Sequence, residues 1–477
     1  MTNTSSMTFG FINRRGSVIS SASWHLDFVP DLHNNWNPKI NFSTKVVVVL
    51  SLPEKAQHIT GAKNDMQRNW KQWKKIAATF SGELKMWLVL ILLCWPVLVE
   101  GKNVSSSVNP EARLNSKELI LYWKYPLEEH YVVTEDGYIL NLFRIPHGRE
   151  NNTTTSPKRV VFLQHGLLVD VAQWYQNFPD NSLAFMLADA GYDVWLGNSR
   201  GNTWSKNHTY LSPFYGTFWK FSYDQMAKYD LPASIDFVLQ KTGQQQLYYI
   251  GHSQGTTIAF IAFSSNKQLA SKIKLYIALA PVATVKNAKT PLAKLAKLSD
   301  FEIKILFGRK EFLPKTYFGS LIAIEICSQE ALAPLCSNLL FVLNGFDKEN
   351  LNMSRVDVYT SYVPASTSVQ NMIHWKQAIK SGKFQAYDHG RLRNNFHYRQ
   401  NSPPEYNVSA MTVPTAIWNG GNDWISDPDD VNQLIPQIQN LISHKFIPQW
   451  NHLDFMYGID APDKLYYEIM DLLQGNP

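Results

Sequence analysis

The sequence predicts an α/β fold: a mainly parallel sheet with helices on both faces and a cap inserted late in the chain. Three observations predict it. Strand-like and helix-like segments alternate from about residue 128 to 283, and the same alternation resumes after residue 408. Between them in kind is the stretch "GHSQG" at 251–255, a glycine-flanked bend joining an apolar strand to an apolar helix. A chain of 477 residues can hold one large domain with an insertion, or two or three domains. With 45% hydrophobic and 18% charged residues it suits a globular protein with a substantial core. The net charge of +6 is spread along the chain, which argues against a nucleic-acid partner. Its 15 tryptophans hint at apolar-ligand handling, although most serve a core.

Residues 1–85 show no persistent pattern. "SVISSAS" carries little information, "KVVVVLSLP" reads as a short strand and "QRNWKQWKKI" as a basic amphipathic piece. The next stretch, "KMWLVLILLCWPVLVEGK" from Lys85 to Lys102, has a lysine before an apolar run from Met86 to Val99 that Pro96 interrupts. Val99 and Gly101 place small residues ahead of a cut after Gly101, the layout of a secretory signal over 86–101. The run is short for a bilayer span of ~20 residues, so no transmembrane span is expected in the mature chain. The other readings are a buried helix or a signal anchor. A signal belongs at a start, so translation beginning at or near Met86 is the simplest account, and residues 1–85 are set apart as an extension.

Cysteine usage agrees with secretion. Cys94 leaves with the signal, and the pair Cys327 and Cys336 reads as a disulfide closing a short loop, two buried free thiols being the alternative. Sequons at Asn103, Asn151, Asn152, Asn207, Asn352 and Asn407 mark candidate glycosylated surface loops.

The core elements follow in order. "HYVVTEDGYILNLFRIP" is a hairpin across Asp136–Gly137. "RVVFLQHGLL" is a buried strand, "SLAFMLADAG" a helix stopped by Gly191, and "YDVWLGNSRG" the next strand. "SYDQMAKYDLPASIDFVLQKTG" is a long helix ending at Gly243. A strand, the bend and a helix follow in "QLYYIGHSQGTTIAFIAFSSN", then the strand "IKLYIALAPVA". Regularity fades over residues 284–408, which hold the cysteine pair, short helical pieces and aromatic-rich segments. A loop of that length without its own structure is improbable, so the segment reads as a cap. Sheet and helix return over 409–477 in "VPTAIWNGGNDWI", "VNQLIPQI", "HKFIPQWNHLDF" and "APDKLYYEIMDLL". The core is therefore expected in two parts, 102–283 and 409–477.

In "GHSQG", small residues two positions either side of Ser253 let strand and helix approach while the bend pushes the serine Oγ outward. A plain glycine-rich turn is the competing reading, and the rest of the chain decides between them. A serine nucleophile needs a base, an orienting acid and donors for the developing oxyanion. In the order Ser, Asp, His, the returning sheet supplies Asp423 after "TAIWNG" and His452 after "HKFIPQW". Asp427, Asp429 and Asp430 lie further along the acid's loop as helix-capping candidates, and Asp454 falls out of order. His444 is placed at a strand start, the wrong end, while His374, His389 and His397 fall in the cap. The backbone N–H groups of Gln254, at the helix N-terminus, and of Leu167, after Gly166 in "QHGLL", are the expected oxyanion donors. His165 reads as a turn histidine outside proton transfer. This constellation on such a sheet is that of an α/β-hydrolase fold.

"FLQHGLL", "LADAGYDVWLGNSRGNTWS", "DQMAKYDLPASIDF", "GHSQGTT", "ALAPVA", "RVDVY", "TSVQNM", "GKFQAYD" and "HLDF" together resemble the acid lipase family, which includes lysosomal acid lipase and gastric lipase. The resemblance runs from about Glu111 to the C-terminus with its motifs in order, and "FGRKEFLP" and "NLNMSRVDVYT" lean towards the lysosomal branch. It implies Ser253, Asp423 and His452 as the triad, Leu167 and Gln254 as oxyanion donors, a cap over the site and the Cys327–Cys336 pairing. Two positions depart from the family pattern: Asn344, where an unpaired cysteine is common, and His389, where tryptophan is usual. Neither touches the triad.

The expected activity is serine-dependent hydrolysis of neutral-lipid esters, triacylglycerols or cholesteryl esters, at acidic pH and through an acyl-enzyme. The substrate is taken at a lipid–water interface, and the chain travels the secretory pathway to the lysosome or outside the cell. No cofactor, metal or obligate protein partner is implied. The alternatives are a catalytically silent lipid-binding protein of the same fold, a secreted gastric-type triacylglycerol lipase, and a hydrolase of soluble small esters.

Overall fold

The computed structural model describes residues 5–12, 18–26, 108–150, 157–315, 324, 327–328 and 333–475. The signal at 86–101, the strand and basic piece expected at 45–53 and 67–76, and Asn103, Asn151 and Asn152 lie outside the described residues. The chain divides into two units, Met1–Phe80 and Ser81–Pro477. In the first, Ser5–Ile12 pairs antiparallel with Val18–Leu26, where the sequence reading finds no pattern. The period-two spacing of Met7, Phe9 and Phe11 is the signal that reading passes over.

The second unit is built on a nine-stranded sheet. Its first strands in the chain are β1 (Glu128–Val133), β2 (Tyr138–Ile145), β3 (Val160–Gln164), β4 (Asp193–Gly197), β5 (Asn207–His208), β6 (Leu247–His252) and β7 (Ile273–Leu279). A separate two-stranded ladder, β8 (Glu311–Phe312) with β9 (Thr367–Ser368), belongs to the expected cap region. The sheet resumes with β10 (Thr415–Gly420) and β11 (Leu441–Ile447). In space the order is β11-β10-β7-β6-β3-β4-β2-β1, with β5 beside β2. From β11 through β4 every pairing is parallel, and β2 joins β4 antiparallel.

Both faces of the sheet are covered, which is why β3, β4 and β6 are buried along their whole length. Along β3, Val161 and Leu163 enter one apolar cluster while Val160 and Phe162 enter the other. Among the helices that cover the sheet are α1 (Ser116–Tyr122), α2 (Leu183–Asp189), α3 (Leu231–Thr242) and α4 (Gln254–Ser265). Leu183, Phe185 and Leu187 of α2 pack on the first face, and Ile235 and Val238 of α3 with Ile258 and Phe260 of α4 pack on the second.

The long helix expected over 222–243 is interrupted. After a turn at Tyr223–Gln225 the backbone widens to a π turn over Met226–Asp230, and α3 begins beyond it. Pro232 has no N–H for the ordinary ladder, and the chain absorbs this by bonding Leu231 N to Met226 O, five residues back. A second π turn, Pro462–Tyr466, with Tyr467 N bonded to Pro462 O, precedes α11, which is defined below.

Residues 284–408 are more regular than their sequence suggests. They hold α5 (Asp300–Phe307), α6 (Ala333–Asn344), α7 (Val356–Tyr362), α8 (Val369–Ser381) and α9 (Arg391–Tyr398). Most of these are two or three turns long, too short for a periodic pattern to stand out, and local caps start them. Ser299 and Glu302 form a capping box for α5, and Ser368 accepts the Asn371 N–H at the start of α8. Cys327 and Cys336 are joined by a disulfide with Cα atoms 5.8 Å apart, so they are not two free thiols. After the sheet resumes, α10 (Pro428–Leu434) and α11 (Tyr467–Gly475) complete the unit. No helix among the described residues is long and apolar enough to cross a membrane.

Candidate active site

The "GHSQG" stretch makes a sharp turn between β6 and α4. Ser253 is held at φ 54°, ψ −121°, a conformation that L-residues adopt only when their surroundings impose it. Two close approaches impose it here. A Cβ on Gly255 would lie 2.4 Å from the Gln164 carbonyl oxygen of β3, and one on Gly251 would lie 2.9 Å from the Gly255 backbone. Both glycines are therefore required where strand, turn and helix cross.

Three side chains from distant parts of the chain meet at this turn. His452 Nε2 is 2.8 Å from Ser253 Oγ, and His452 Nδ1 is 2.7 Å from Asp423 Oδ2. Asp423 follows β10 and His452 follows β11, both beyond the C-terminal ends of their strands. The other Asp423 oxygen accepts the N–H groups of Ile425 and Ser426, each at 2.8 Å, which fixes the carboxylate plane. Ser253, His452 and Asp423 are 6%, 3% and 1% exposed, so the group is screened from bulk water in this conformation.

The two loops are tied together by main chain. Asn344, at the end of α6, accepts N–H bonds on its carbonyl from both His452 (3.2 Å) and Trp424 (3.3 Å). Position 344 therefore does touch the triad, through its main chain; the side chain, which differs from the family pattern, bonds the Leu340 carbonyl instead, so the substitution leaves the tie untouched. Gly345 follows at φ 108°, where a Cβ would fall 2.0 Å from the Asn422 carbonyl oxygen.

Leu167 and Gln254 stand at the expected places. Gly166 lies against the nucleophile, since a Cβ there would be 3.1 Å from Ser253 Cβ, and Leu167 is the next residue. Gln254 opens α4, where the first N–H groups have no acceptor within the helix.

The sequence reading misses what holds Gln254. Its side-chain oxygen accepts two buried bonds, from Asn371 Nδ2 and Trp375 Nε1 of α8, both 2.8 Å. Asn371 also accepts the Tyr223 N–H at 2.9 Å and donates to Thr367 Oγ1 at 3.1 Å. Residues 369–381 are therefore bonded to the residue after the nucleophile. Asn371 lies inside "TSVQNM", but nothing in a single sequence separates a buried amide of this kind from a surface one.

The remaining candidates resolve by their partners. His165 accepts the Ser199 N–H on Nε2 at 3.0 Å, so its Nδ1 carries the proton and donates to the Gly166 carbonyl at 2.8 Å. Burial lowers its pKa to about 4, as suits a neutral turn histidine. His252 is likewise kept neutral by burial, then by its proximity to His452, and donates from Nε2 to the His452 carbonyl at 3.1 Å. Asp427 caps α10, and Asp430 accepts from Thr284 Oγ1 and Asn287 N. Asp429, the third rival, is exposed on α10. His444 falls within β11 rather than at its start and bonds Asn419. His374 is buried between Ser222 and the Gln385 carbonyl, while His389 stacks on His397 at 4.1 Å. Asp454 accepts the Asn451 N–H beside the His452 loop, and burial raises its pKa to about 9. No cluster that could hold a metal ion occurs among the described residues.

The chain is similar to known proteins over most of its length. The model of the alpha/beta hydrolase fold family matches residues 159–459, and that of a partial alpha/beta-hydrolase lipase region matches 116–178. Human lysosomal acid lipase/cholesteryl ester hydrolase is 57% identical over 389 residues, covering 81% of this chain and 98% of the relative. Rat gastric triacylglycerol lipase is 55% identical over 392 residues, covering 81% and 99%. Human lipase member K is 55% identical over 394 residues, covering 82% and 99%.

Proposed function

The chain belongs to the acid lipase family of α/β-hydrolases, and from that premise we propose that Ser253 is its nucleophile, His452 its general base and Asp423 the acid that orients the base. The protein is a carboxylic ester hydrolase, a lipase of neutral lipids. The observation that best supports the residue assignment is the unbroken chain from Ser253 Oγ to His452 Nε2 and from His452 Nδ1 to Asp423, at 2.8 and 2.7 Å.

In this reading Ser253 Oγ attacks the ester carbonyl carbon as His452 Nε2 takes its proton. The Leu167 and Gln254 N–H groups receive the developing oxyanion; one such donor is typically worth ~3 kcal/mol of barrier. His452 then returns the proton to the departing alcohol, leaving an acyl group on Ser253. Water, activated by the same imidazole, releases the fatty acid. Asp423 keeps Nδ1 protonated and stabilises the imidazolium without taking the proton itself.

Triacylglycerols and cholesteryl esters are the substrates proposed, cleaved at acidic pH and taken from a lipid–water interface. Acyl chains gain ~25 cal/mol per Å² on leaving water, which suits a cap rich in Leu and Phe, with Trp375 its one tryptophan. We assign residues 284–408 to that cap, 102–283 and 409–477 to the core, 86–101 to the signal and 1–85 to an extension dispensable for catalysis. The route is secretory, ending in the lysosome or outside the cell. Among the sequons Asn207 and Asn407 are exposed, and Asn352 is half-buried, which suits glycan acceptors on the surface.

Hydrolysis of emulsified triolein and cholesteryl oleate between about pH 4 and 8 tests the reading, with Ser253→Ala as control. Activity on both that vanishes in the variant supports it. A steep fall below pH 6 with a midpoint at the ordinary histidine value of ~6.5 contradicts operation in acid. Turnover of soluble esters alone would favour the small-ester hydrolase.

A further inference from the structure

Two short helices on the outside of the proposed cap turn large apolar side chains towards solvent. On α9, Leu392 and Phe396 are one turn apart on the same face and 89% and 85% exposed. The opposite face is fastened down. Buried Asn394 donates to Asp388 Oδ1 at 2.7 Å and to the Asn401 carbonyl at 3.1 Å, and the Tyr398 hydroxyl donates to the Tyr387 carbonyl at 2.9 Å. The apolar pair is bracketed by Arg391, Arg393 and Arg399, all exposed, and residues 389–400 contain no carboxylate.

Helix α5 repeats the arrangement. Ile303 is fully buried, whereas Phe301, Ile305 and Leu306 are 67%, 65% and 46% exposed. Arg309 and Lys310 follow its end, both exposed, with Lys310 Nζ donating to the Phe214 carbonyl at 2.8 Å. Its carboxylates are partly engaged at the helix start: Glu302 accepts from Ser299 N and Oγ at 2.7 Å, and Asp300 pairs with Lys376 at 2.5 Å.

Single exposed apolar residues are ordinary on a protein surface. Pairs at helical spacing, with arginine around them on α9 and after the end of α5, and anchored on the other side, have the layout of helices that lie in a lipid headgroup region. We propose that this outer face of α5 and α9 docks the protein on an anionic lipid surface. The apolar side chains enter the acyl boundary and the arginines meet headgroup phosphates. The proposal rests on the reading of the chain as a lipase and deepens it by naming the face that meets the interface. Ile303 of α5 joins an apolar cluster with Phe312, Val369, Met372, Ile373 and Tyr387, the last of which is bonded to Tyr398 of α9, and Leu167 packs against the cluster. Docking there brings the interface to the side of the cap that leads inward to a proposed oxyanion donor.

Co-sedimentation of the full glycosylated protein with two kinds of vesicle tests this. One is phosphatidylcholine alone; the other contains about one third phosphatidylglycerol. The expected result is binding at least about tenfold tighter to the anionic vesicles, weakened by about 0.5 M salt. Leu392→Ser with Phe396→Ser, and separately Arg391→Gln with Arg393→Gln and Arg399→Gln, should each lower that affinity about tenfold. Hydrolysis of emulsified triolein should fall in step, while turnover of soluble 4-nitrophenyl butyrate stays at the wild-type level. Phe446→Ser, at a 48% exposed aromatic on the edge strand β11, serves as a control and should change nothing. Undiminished vesicle binding by the α9 variants overturns the proposal. So does an equal loss in the Phe446 control, or a finding that the α9 variants abolish self-association and leave vesicle binding intact. If instead butyrate turnover is absent from the wild type, the lipase reading has failed, and the vesicle result still judges the docking face on its own.

Discussion

Asn371→Ala should slow the chemistry of a site that Asn371 does not enter. The substitution removes the donor to Gln254 Oε1 at 2.8 Å, the donor to Thr367 Oγ1 at 3.1 Å and the acceptor of the Tyr223 N–H at 2.9 Å. All of these groups are buried. The stranded Tyr223 N–H costs about 1–3 kcal/mol and the other two lost bonds about 1 kcal/mol each, so a total near 3–5 kcal/mol follows. Gln254 keeps its bond from Trp375, so its side chain loosens rather than detaches. Outright loss of an oxyanion donor slows acyl transfer by about 10²–10³; a donor merely less well aimed should slow it by about tenfold. The assay is kcat and KM on a soluble short-chain ester, with the affinity for an alkyl trifluoromethyl ketone whose hemiketal oxyanion occupies the same place. We expect kcat and ketone affinity to fall together while KM is nearly unchanged. Asn394→Ala provides the comparison, since Asn394 is also a buried amide of the proposed cap, bonded to Asp388, His389 and Asn401. It should lower the melting temperature comparably and leave kcat alone. If Asn371→Ala loses stability but keeps wild-type kcat and ketone affinity, the coupling of α8 to the proposed oxyanion donor is refuted.

Three further outcomes are expected. Asp454, with a folded pKa of about 9 against an ordinary 3.8, is protonated when folded and ionised when unfolded. Its contribution is complete below about pH 3.8 and is lost as pH rises towards 9, so Asp454→Asn should flatten the fall of melting temperature above neutral pH; an unchanged slope contradicts this. His165, lowered to about 4, works in the opposite sense between pH 6.5 and 4, which confines the clean test to the neutral and alkaline side. Cys327→Ser with Cys336→Ser should lower stability by about 2–3 kcal/mol on chain-entropy reasoning, with proteolysis across 327–336 as the readout. A version beginning at Met86 should be secreted, glycosylated and active; loss of activity on removing residues 1–85 would sink the assignment of that segment.

Most of the sheet and the three meeting side chains were legible because their signals are local. The run "VVFL" is apolar because β3 is covered on both faces, and two glycines bracket Ser253 because a Cβ on either would lie 2.4–2.9 Å from neighbouring backbone. Asp423 and His452 could be picked from their rivals because each follows a recognisable strand. What escaped notice depends on distant partners. The widening at Met226–Asp230 is a compromise with Pro232, and a propensity argument sees only a long helix. Helices α5, α7 and α9 are too short for periodicity, so the segment that carries them looked irregular. The bonds from Asn371 and Trp375 to Gln254 span more than a hundred residues of chain and have no local mark.

The central claim is that Ser253, activated by His452 and Asp423, is the nucleophile of an ester hydrolase. Mass spectrometry of the protein after exposure to an alkyl organophosphonate tests it most directly. One adduct is expected, on the peptide containing Ser253, formed rapidly by the wild type and absent from Ser253→Ala. His452→Ala should form it far more slowly, since without a base the hydroxyl is a weak nucleophile. Asp423→Asn should fall between them, because the imidazole remains but is held in the wrong tautomer. An adduct on any other residue, or labelling of Ser253 at an undiminished rate in His452→Ala, would contradict the account.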